Sequence, residues 1–232
     1  MGRYGLRIFH NMVPRTYPCQ SIKYDASNTA DPYWQNPLFE ATFHNLTSWK
    51  NNRNGAIAER VGWVVFKDFK VADNLLAGIE FSLTDEVGEG RAAIKDALII
   101  GKTSNTEGRL DWASPYGVIG PRTENFNIDG VEFYNYDFNG AAALSTCSHC
   151  FHGAATDSGA RTIKTQKLVF DATVTKKIRY QHPQRAIFHD LDGTLTGKGA
   201  NSMATKYYPY LVQPECVHDA SVYDSVLCDP SV

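Results

Sequence analysis

A short apolar pattern recurs along the chain and limits what it can fold into. Each copy reads apolar, two residues, apolar, one residue, apolar, and the copies begin at Phe43, Phe66, Ile94, Ile128, Thr165 and Phe188. The first positions lie 23, 28, 34, 37 and 23 residues apart. Repeats of roughly 20 to 50 residues are typical of solenoids and repeat arrays.

The copies are too short, and too rich in Val, Ile, Phe and Thr, to be helices, and Gly, Asn and Asp are frequent between them. One strand per copy, stacked on the equivalent strand of the next, predicts an all-β fold, a parallel β-helix with loop insertions. Because the spacings are irregular, a β-sandwich remains the alternative. The β-helix interpretation places these side chains inside: Phe66, Phe69, Ile94, Ile99, Val131, Phe133, Leu168 and Leu191.

Composition excludes several classes of function. The 232 residues are 43% hydrophobic, which is enough for a sizeable core, and the net charge is −2. No basic stripe indicates nucleic-acid binding, no polybasic cluster indicates a membrane surface, and the apolar runs are too short to insert directly into a bilayer. Because the first residues lack the apolar core of a signal peptide, we expect either a cytosolic chain or part of a larger protein whose signal lies elsewhere.

Cys216 and Cys228 lie twelve residues apart in a polar, loop-like tail. This spacing predicts a disulfide, which would stabilise the fold by about 3 kcal/mol in the chain-entropy model. Because the chain has five cysteines, an odd number, one is left to pair outside the chain or to stay free, and we expect this to be Cys19.

Cys147 and Cys150 form a C-x-x-C pair followed by His152, with His149 between them. These residue types could bind zinc, but a second pair at metal-ligand spacing is missing. A redox pair would need a βαβ context that the sequence does not show. We therefore favour two structural half-cystines, or a vicinal-type disulfide between Cys147 and Cys150.

Residues 189–197 contain Asp190-x-Asp192-Gly193-Thr194, which looks like the nucleophile strand of an aspartate-dependent phosphatase. Such a strand normally opens an α/β domain, whereas here only 35 residues follow Gly197. We therefore expect no phosphatase activity and place this segment last in the fold.

The acidic residues have three candidate roles. Asp68, Asp96 and Asp190 share one phase of the pattern and, with Asp192, could line the outer face as the site of a polysaccharide-cleaving glycosidase or lyase. The alternative, which we favour, is that short acidic residues at strand ends form turns. Asp190 and Asp192 could also hold Ca²⁺, and no other cofactor is expected.

Asn45-Leu46-Thr47 is a sequon for N-glycosylation. Because its side chain alternates with the apolar Leu46, we expect Asn45 to face solvent. Modification of Asn45 depends on an extracellular setting.

Several longer stretches together resemble the fibrocystin-L family of extracellular β-helix proteins and, more distantly, the hyaluronan-degrading cell-migration-inducing proteins. The most specific are Trp49-Lys-Asn-Asn-Arg-Asn-Gly-Ala56, Gly120-Pro-Arg-Thr-Glu-Asn125, Gly159-Ala-Arg-Thr162 and Asp190-Leu-Asp-Gly-Thr-Leu-Thr-Gly197. The resemblance implies that the β-helix is right-handed. It also implies that residues 1–232 are one extracellular or cell-surface segment of a larger protein, with residues 198–232 as its disulfide-containing tail.

Two functions follow from the resemblance. The first is a structural or adhesive module of a surface coat, ciliary coat or filament, and the alternative is an enzyme that binds or cleaves polysaccharides such as hyaluronan. We expect the strand Leu6-Arg7-Ile8-Phe9 to continue a sheet with neighbouring chain or another β-helix subunit, because an exposed strand edge favours further pairing. Residues 83–91 and 101–115 would be loops available for contacts, including contacts with glycans.

Overall fold

The computed structural model describes residues 2–15, 38–84, 91–106, 113–121, 126–147, 161–181, 186–206 and 213–230. This part of the chain is all-β, apart from one short 3₁₀ turn at Ser104–Thr106. None of its helical segments has the length and apolar character needed to cross a membrane. The strands are, in chain order, β1 (Tyr4–Met12), β2 (Ala41–His44), β3 (Thr47–Trp49), β4 (Asn54–Val61), β5 (Val64–Lys67), β6 (Lys70–Ala72), β7 (Ala77–Thr84), β8 (Ala93–Lys95), β9 (Leu98–Ile100), β10 (Tyr116–Ile119), β11 (Phe126–Asp129), β12 (Glu132–Tyr134), β13 (Ala142–Ser145), β14 (Arg161–Gln166), β15 (Val169–Phe170), β16 (Ile178–Arg179), β17 (Ala186–Asp190), β18 (Ser202–Thr205), β19 (Val217–Asp219) and β20 (Ser225–Cys228).

The strands form three sheets. Sheet A has the order β1-β4-β7-β10-β13-β16, sheet B the order β19-β20-β18-β17-β14-β11-β8-β5-β2, and sheet C the order β15-β12-β9-β6-β3. From β1 to β15 the chain visits A, B and C in the same order five times, and we call each passage a circuit. Strands of successive circuits pair in parallel, for example β2 with β5 and β5 with β8. The prediction of an all-β fold with parallel strands is confirmed.

Each of the first five copies of the apolar pattern covers two strands rather than the single strand that we predicted. The first apolar residue lies in sheet B, the third lies in sheet C, and the chain turns a corner between them. The residue at each corner has positive φ, between 52° and 66°, and these residues are Asn45, Asp68, Asp96, Gly130 and Lys167. Asn, Asp and Gly tolerate this left-handed conformation best, which explains four of the five corner residues, and nothing in the structure explains Lys167.

The core contains seven of the eight side chains that were predicted to lie inside, from Phe66 to Leu168. Leu191 is only partly buried, so its assignment was wrong. The reason is the register, because β17 pairs with β14 through Ile163–Phe188 and Thr165–Asp190. The sixth copy therefore starts at Asp190 rather than Phe188, and Leu195 supplies a buried leucine beyond it.

Aromatic rings connect successive circuits inside the core. The ring centroids of Phe43 and Phe66 lie 6.0 Å apart, and those of Phe66 and Phe81 lie 4.9 Å apart. Phe81 continues the contact to Phe126 at 4.7 Å. Such ring pairs stabilise a core beyond the burial of their area, and here they join strands of sheets A and B.

Glycines lie beside one another on three successive strands of sheet A. The register places Gly55 next to Gly78, and Gly78 next to Gly117. A Cβ atom on Gly78 would lie 2.7 Å from Cγ2 of Ile99 and 2.9 Å from the carbonyl oxygen of Gly117. These inner strands of sheet A therefore pack so closely against their neighbours that there is no room for a side chain at the glycine positions.

The C-terminal tail is folded, which corrects the expectation of a loop-like segment. Strands β18, β20 and β19 extend sheet B beyond β17, and all three pairings are antiparallel. The turn after β19 covers the edge of sheet A, where Val222 O accepts hydrogen bonds from the backbone N–H groups of Lys177 and Ile178 at 2.8 and 3.2 Å. The tail therefore closes this end of the stacked strands, and we call residues 190–230 the cap.

We expect Gly117→Ala to lower the free energy of unfolding by about 1–3 kcal/mol, which is typical of overpacking. The added methyl group would meet the carbonyl oxygen of Ala143 and the ring of Phe133. Urea unfolding measures the change. Gly120→Ala is the control with a small expected effect, because its methyl group meets only the flexible end of Ile163 within 3.4 Å. Equal stability of the two variants would contradict the close packing of sheet A.

Candidate functional site

Asp190 is wholly buried at a position where the second, third and fourth circuits carry apolar side chains. One inward-facing row of sheet B, which we call the ladder, consists of paired residues on successive strands, from Phe66 through Ile94, Ile128 and Thr165 to Asp190. Oδ2 of Asp190 accepts hydrogen bonds from the backbone N–H of Thr196 at 2.8 Å and from the Thr196 hydroxyl at 2.9 Å. Oδ1 has no hydrogen-bond partner within the described ranges. The carboxylate thus ties the loop after β17 to the interior.

Asp192 and Thr194 bind the backbone of the preceding circuit. Asp192 Oδ2 accepts a hydrogen bond from the N–H of Lys167 at 2.7 Å, and Thr194 Oγ1 accepts one from the N–H of Leu168 at 3.0 Å. The Thr194 hydroxyl also donates to Asp192 Oδ1 at 2.7 Å. The N–H groups of Lys167 and Leu168 lie at the corner between β14 and β15, where a further circuit would otherwise supply hydrogen-bond acceptors. The side chains of Asp192 and Thr194 accept these hydrogen bonds instead, so the two donors at the strand edge are paired.

Lys177 and Tyr223 hold the same loop from the other side. Lys177 Nζ donates to the carbonyl oxygen of Leu195 at 2.6 Å and lies 4.6 Å from the ring centroid of Phe170. Burial lowers the pKa of Lys177, an effect that the nearby Asp190 opposes, and burial raises the pKa of the Tyr223 hydroxyl. That hydroxyl donates to the carbonyl oxygens of Leu195 and Thr196.

The register does not assemble the carboxylate row that we considered for catalysis. Asp68 and Asp96 occupy neighbouring corners, whereas Asp190 lies in the ladder beside Thr165, so the assignment of all three to one phase was wrong. Asp68 lies 3.9 Å from His44 Nδ1, and Asp96 lies 3.9 Å from Lys67 Nζ. A wholly buried Asp190 also cannot reach a phosphoryl group in this conformation.

Calcium binding by Asp190 and Asp192 remains a prediction. Strand β17 ends at Asp190, so Asp192 lies in the following turn, not on the same face of a strand. Both oxygens of Asp192 accept hydrogen bonds from the protein. The described ranges contain no group of three or more His, Cys, Asp or Glu side chains that could hold a metal ion.

A disulfide joins Cys216 to Cys228, as their spacing predicted. It fastens the end of β20 to the turn before β19, and therefore closes the cap covalently. Cys147 is also disulfide-bonded, while Cys19 and Cys150 lie outside the described residues. A half-cystine offers no thiolate to zinc, so Cys147 is not a zinc ligand in this state.

Asn45 is exposed at the first corner, between β2 and β3, with φ of 59°. Its orientation toward solvent agrees with the sequence analysis, and its glycosylation remains a prediction. Of the predicted contact loops, residues 85–90 and 107–112 lie outside the described ranges.

Sequence reasoning did not find a groove on the outer face of sheet B, with a volume of about 270 Å³. Its lining includes Trp63, Arg91, Lys95, Lys164 and Leu191. These residues come from three circuits and the cap and are up to 128 positions apart, so no local motif indicates them. The pattern that could have indicated the groove is the presence of cationic and amide side chains at outward-facing positions of neighbouring strands. This pattern is visible only once the register of the strands is known.

Comparison with known proteins identifies fibrocystin as a relative. The chain is 28% identical over 211 residues to fibrocystin of Mus musculus, which covers 85% of this chain and 5% of that protein. It is 28% identical over 167 residues to fibrocystin of Canis lupus familiaris, covering 72% of this chain and 4% of that protein. No family model and no solved structure matches. The chain thus spans about one twentieth of the length of these relatives.

We expect Asp190→Ala to lower the free energy of unfolding by about 2–3 kcal/mol, because it removes two hydrogen bonds to a carboxylate and leaves the buried N–H of Thr196 without its acceptor. Urea unfolding measures the loss, and limited proteolysis shows whether the cap opens first. Asp229→Ala, at an exposed position of the cap, should change stability far less. If the two variants are equally stable, Asp190 does not hold the cap.

The cap should also loosen in acid. Although partial burial acts to raise it, the pKa of Asp192 lies below its ordinary value because of the hydrogen bonds from Thr194 and Lys167, and the N–H of Val222 lowers the pKa of Asp219. A depressed pKa in the folded state stabilises the fold above the unfolded value of about 4, and the stabilisation disappears as the pH falls through the folded pKa. Urea midpoints should therefore fall in acid, and less steeply in an Asp192→Asn/Asp219→Asn variant. An unchanged slope in that variant would contradict the role of these carboxylates.

Proposed function

We propose that the chain is a structural and adhesive segment of a large extracellular protein related to fibrocystin, within the fibrocystin-L group, and that its circuits form a closed right-handed parallel β-helix. The observation that carries this proposal is the difference between the two ends of the stack. One end is covered by the antiparallel cap, whereas at the other end the described residues present strand edges. A module of this kind would add length and stiffness to a surface or ciliary coat.

Three features support the closed β-helix. The chain visits the sheets in a fixed cyclic order, and side chains of all three sheets share one buried cluster, for example Phe66 of sheet B, Ile79 of sheet A and Ile99 of sheet C. Asn51 and Asn74 stack at the turns that lead from sheet C to sheet A, where Asn51 Nδ2 donates to Asn74 Oδ1 at 2.9 Å. The right hand follows from the strong preference for right-handed connections between parallel strands.

The other end of the stack presents apolar side chains. Among the described residues, strands β1, β2 and β3 are the last strands of their sheets at this end. Phe43 and Leu46 are only partly buried, whereas Phe66 and Phe69, at the same positions one circuit later, are almost wholly buried. Trp49, beside this layer in β3, is 57% exposed. Open strand edges with an apolar layer favour the addition of a further circuit, either from the same polypeptide or from a neighbouring subunit.

The extracellular location is supported by two observations. The Cys216–Cys228 bond and the half-cystine at Cys147 are typical of oxidising compartments. The similarity to fibrocystin covers most of this chain but about one twentieth of the relative, which fits one segment of a long protein.

Polysaccharide cleavage is the alternative function. Among the carboxylates considered for it, Asp68 and Asp96 lie on the outer surface, 3.9 Å from His44 Nδ1 and from Lys67 Nζ, respectively. Incubation with hyaluronan, with and without Ca²⁺, tests this alternative directly. Depolymerisation that disappears in Asp96→Asn would favour the enzyme over the structural module.

We expect the isolated chain to self-associate through the end formed by β1, β2 and β3. Sedimentation velocity at increasing protein concentration should show larger species, and Phe43→Lys should suppress them because a charge in the end layer opposes docking of a second apolar surface. Circular dichroism checks that the variant remains folded.

Val217→Lys is the matched control, since Val217 is 51% exposed and lies in the cap at the opposite end. This variant should associate as the unmodified chain does. A chain that stays monomeric at all concentrations and unfolds cooperatively would remove the main physical support for a module that requires a neighbour.

A further inference from the structure

Two rows of side chains cross the strands on the outer face of sheet C. The first row, from β3 to β15, is Thr47, Lys70, Leu98, Glu132 and Val169. The second row, from β3 to β12, is Trp49, Ala72, Ile100 and Tyr134. The residues between the two rows, such as Val71, Ile99 and Phe133, belong to the core, so both rows point away from it.

The middle of this face is apolar and accessible to solvent. Leu98 and Ile100, on the central strand β9, are only partly buried, and Val169 at one margin is 46% exposed. A groove of about 220 Å³ lies beside them, over β3, β6 and β9, and Trp49 forms part of its lining. An apolar patch of this kind, bordered by polar residues, is typical of a protein–protein interface.

Side chains of opposite character lie on the two sides of β9. In the first row, Lys70 and Glu132 occupy the strands next to β9, and in the second row Ala72 and Tyr134 do so. The hydroxyl of Tyr134 donates to Oε2 of Glu132 at 2.9 Å, which holds the carboxylate on this face. Within the described ranges, neither Lys70 nor Glu132 takes part in an ion pair. Both charges are exposed and available to a partner.

This arrangement makes the face complementary to itself. A two-fold axis along β9 places Lys70 opposite Glu132 of a second copy, and Ala72 opposite Tyr134. Opposite charges then meet, and a small side chain faces a large one, as an isologous dimer requires. An axis across the strands would instead place Lys70 opposite its own copy or opposite Ala72, so the charges favour the axis along β9.

We propose that the chain forms a dimer in which the outer faces of sheet C pack against each other about a two-fold axis along β9. Leu98 and Ile100 lie on the axis and contact their own copies, and the two stacks point in opposite directions. Two sheets packed face to face keep their strands nearly aligned, so the Lys70–Glu132 pairs remain within reach. The inference does not depend on the coat role, because it uses a lateral face and not the end formed by β1, β2 and β3.

The size of the face indicates a weak dimer. The five strands of sheet C cover four spacings of about 4.8 Å, or about 19 Å. A contact of this width belongs to the smaller class of interfaces, in which affinity is low. The apolar centre supplies most of the stabilisation, whereas the exposed charge pairs mainly decide which arrangement forms.

Sedimentation velocity of Phe43→Lys at high protein concentration tests the proposal, because this substitution opposes association through the end of the stack. We expect a dimer as the largest species. Lys70→Glu, added to Phe43→Lys, should raise the dissociation constant of the dimer by about tenfold or more, since both charge pairs become repulsive. Glu132→Lys should do the same. Circular dichroism shows that each variant is folded.

Exchange of the two charges provides the decisive comparison. Lys70→Glu/Glu132→Lys should restore the dimer, and an equimolar mixture of the two single charge variants should form a heterodimer, because every charge then meets its opposite. Lys198→Glu, an exposed position of the cap with the same change of charge, is the control and should leave the dimer unchanged.

Three results would overturn the proposal. The first is a Phe43→Lys chain that stays monomeric at all concentrations. The second is a dimer that Lys70→Glu weakens no more than Lys198→Glu does, which would place the contact on another face. The third is a charge exchange that does not restore the dimer, together with a mixture that gives no heterodimer. None of these results bears on association through the end of the stack, which the comparison of Phe43→Lys with the unmodified chain measures separately.

Discussion

Parallel pairing of each circuit with the next is the interaction on which the rest of the structure depends. It fixes the register, and the register decides which side chains enter the core, which form the outer rows and which lie at the corners. Val64–Lys67 and Ala93–Lys95 show this directly, because their pairing places Phe66 beside Ile94 inside and Lys67 beside Lys95 outside. A shift of one residue would exchange the two faces.

Much of the fold could be predicted from the sequence because the inner ladder is apolar and periodic. From Phe66 to Leu168, apolar residues at the expected positions are buried, and the polar residue between them marks a corner. The prediction of one strand per copy failed because a single left-handed residue is enough to turn the chain into another sheet. No apolar pattern shows that, although the recurring Asn, Asp and Gly at this position could have indicated it.

The sixth copy shows where the pattern stops being informative. An apolar pattern cannot identify a ladder position that is occupied by Asp190. The sequence analysis therefore took Phe188 as the first residue of the sixth copy and wrongly assigned Leu191 to the core. What stabilises the carboxylate is its hydrogen bonding to Thr196, a contact six residues away within an irregular loop. The row of glycines in sheet A and the groove on the outer face of sheet B were also not predicted. Their residues come together only when the strands pair, so no local sequence pattern indicates them.

The antiparallel cap gives the stack a direction. Strands β18, β20 and β19 reverse the pairing, and the turn at Val222 occupies the edge of sheet A, so a further parallel circuit cannot be added there without displacing them. In a protein with several such caps, each would interrupt the parallel pairing of strands, so the spacing of the caps would set the length of each uninterrupted stack.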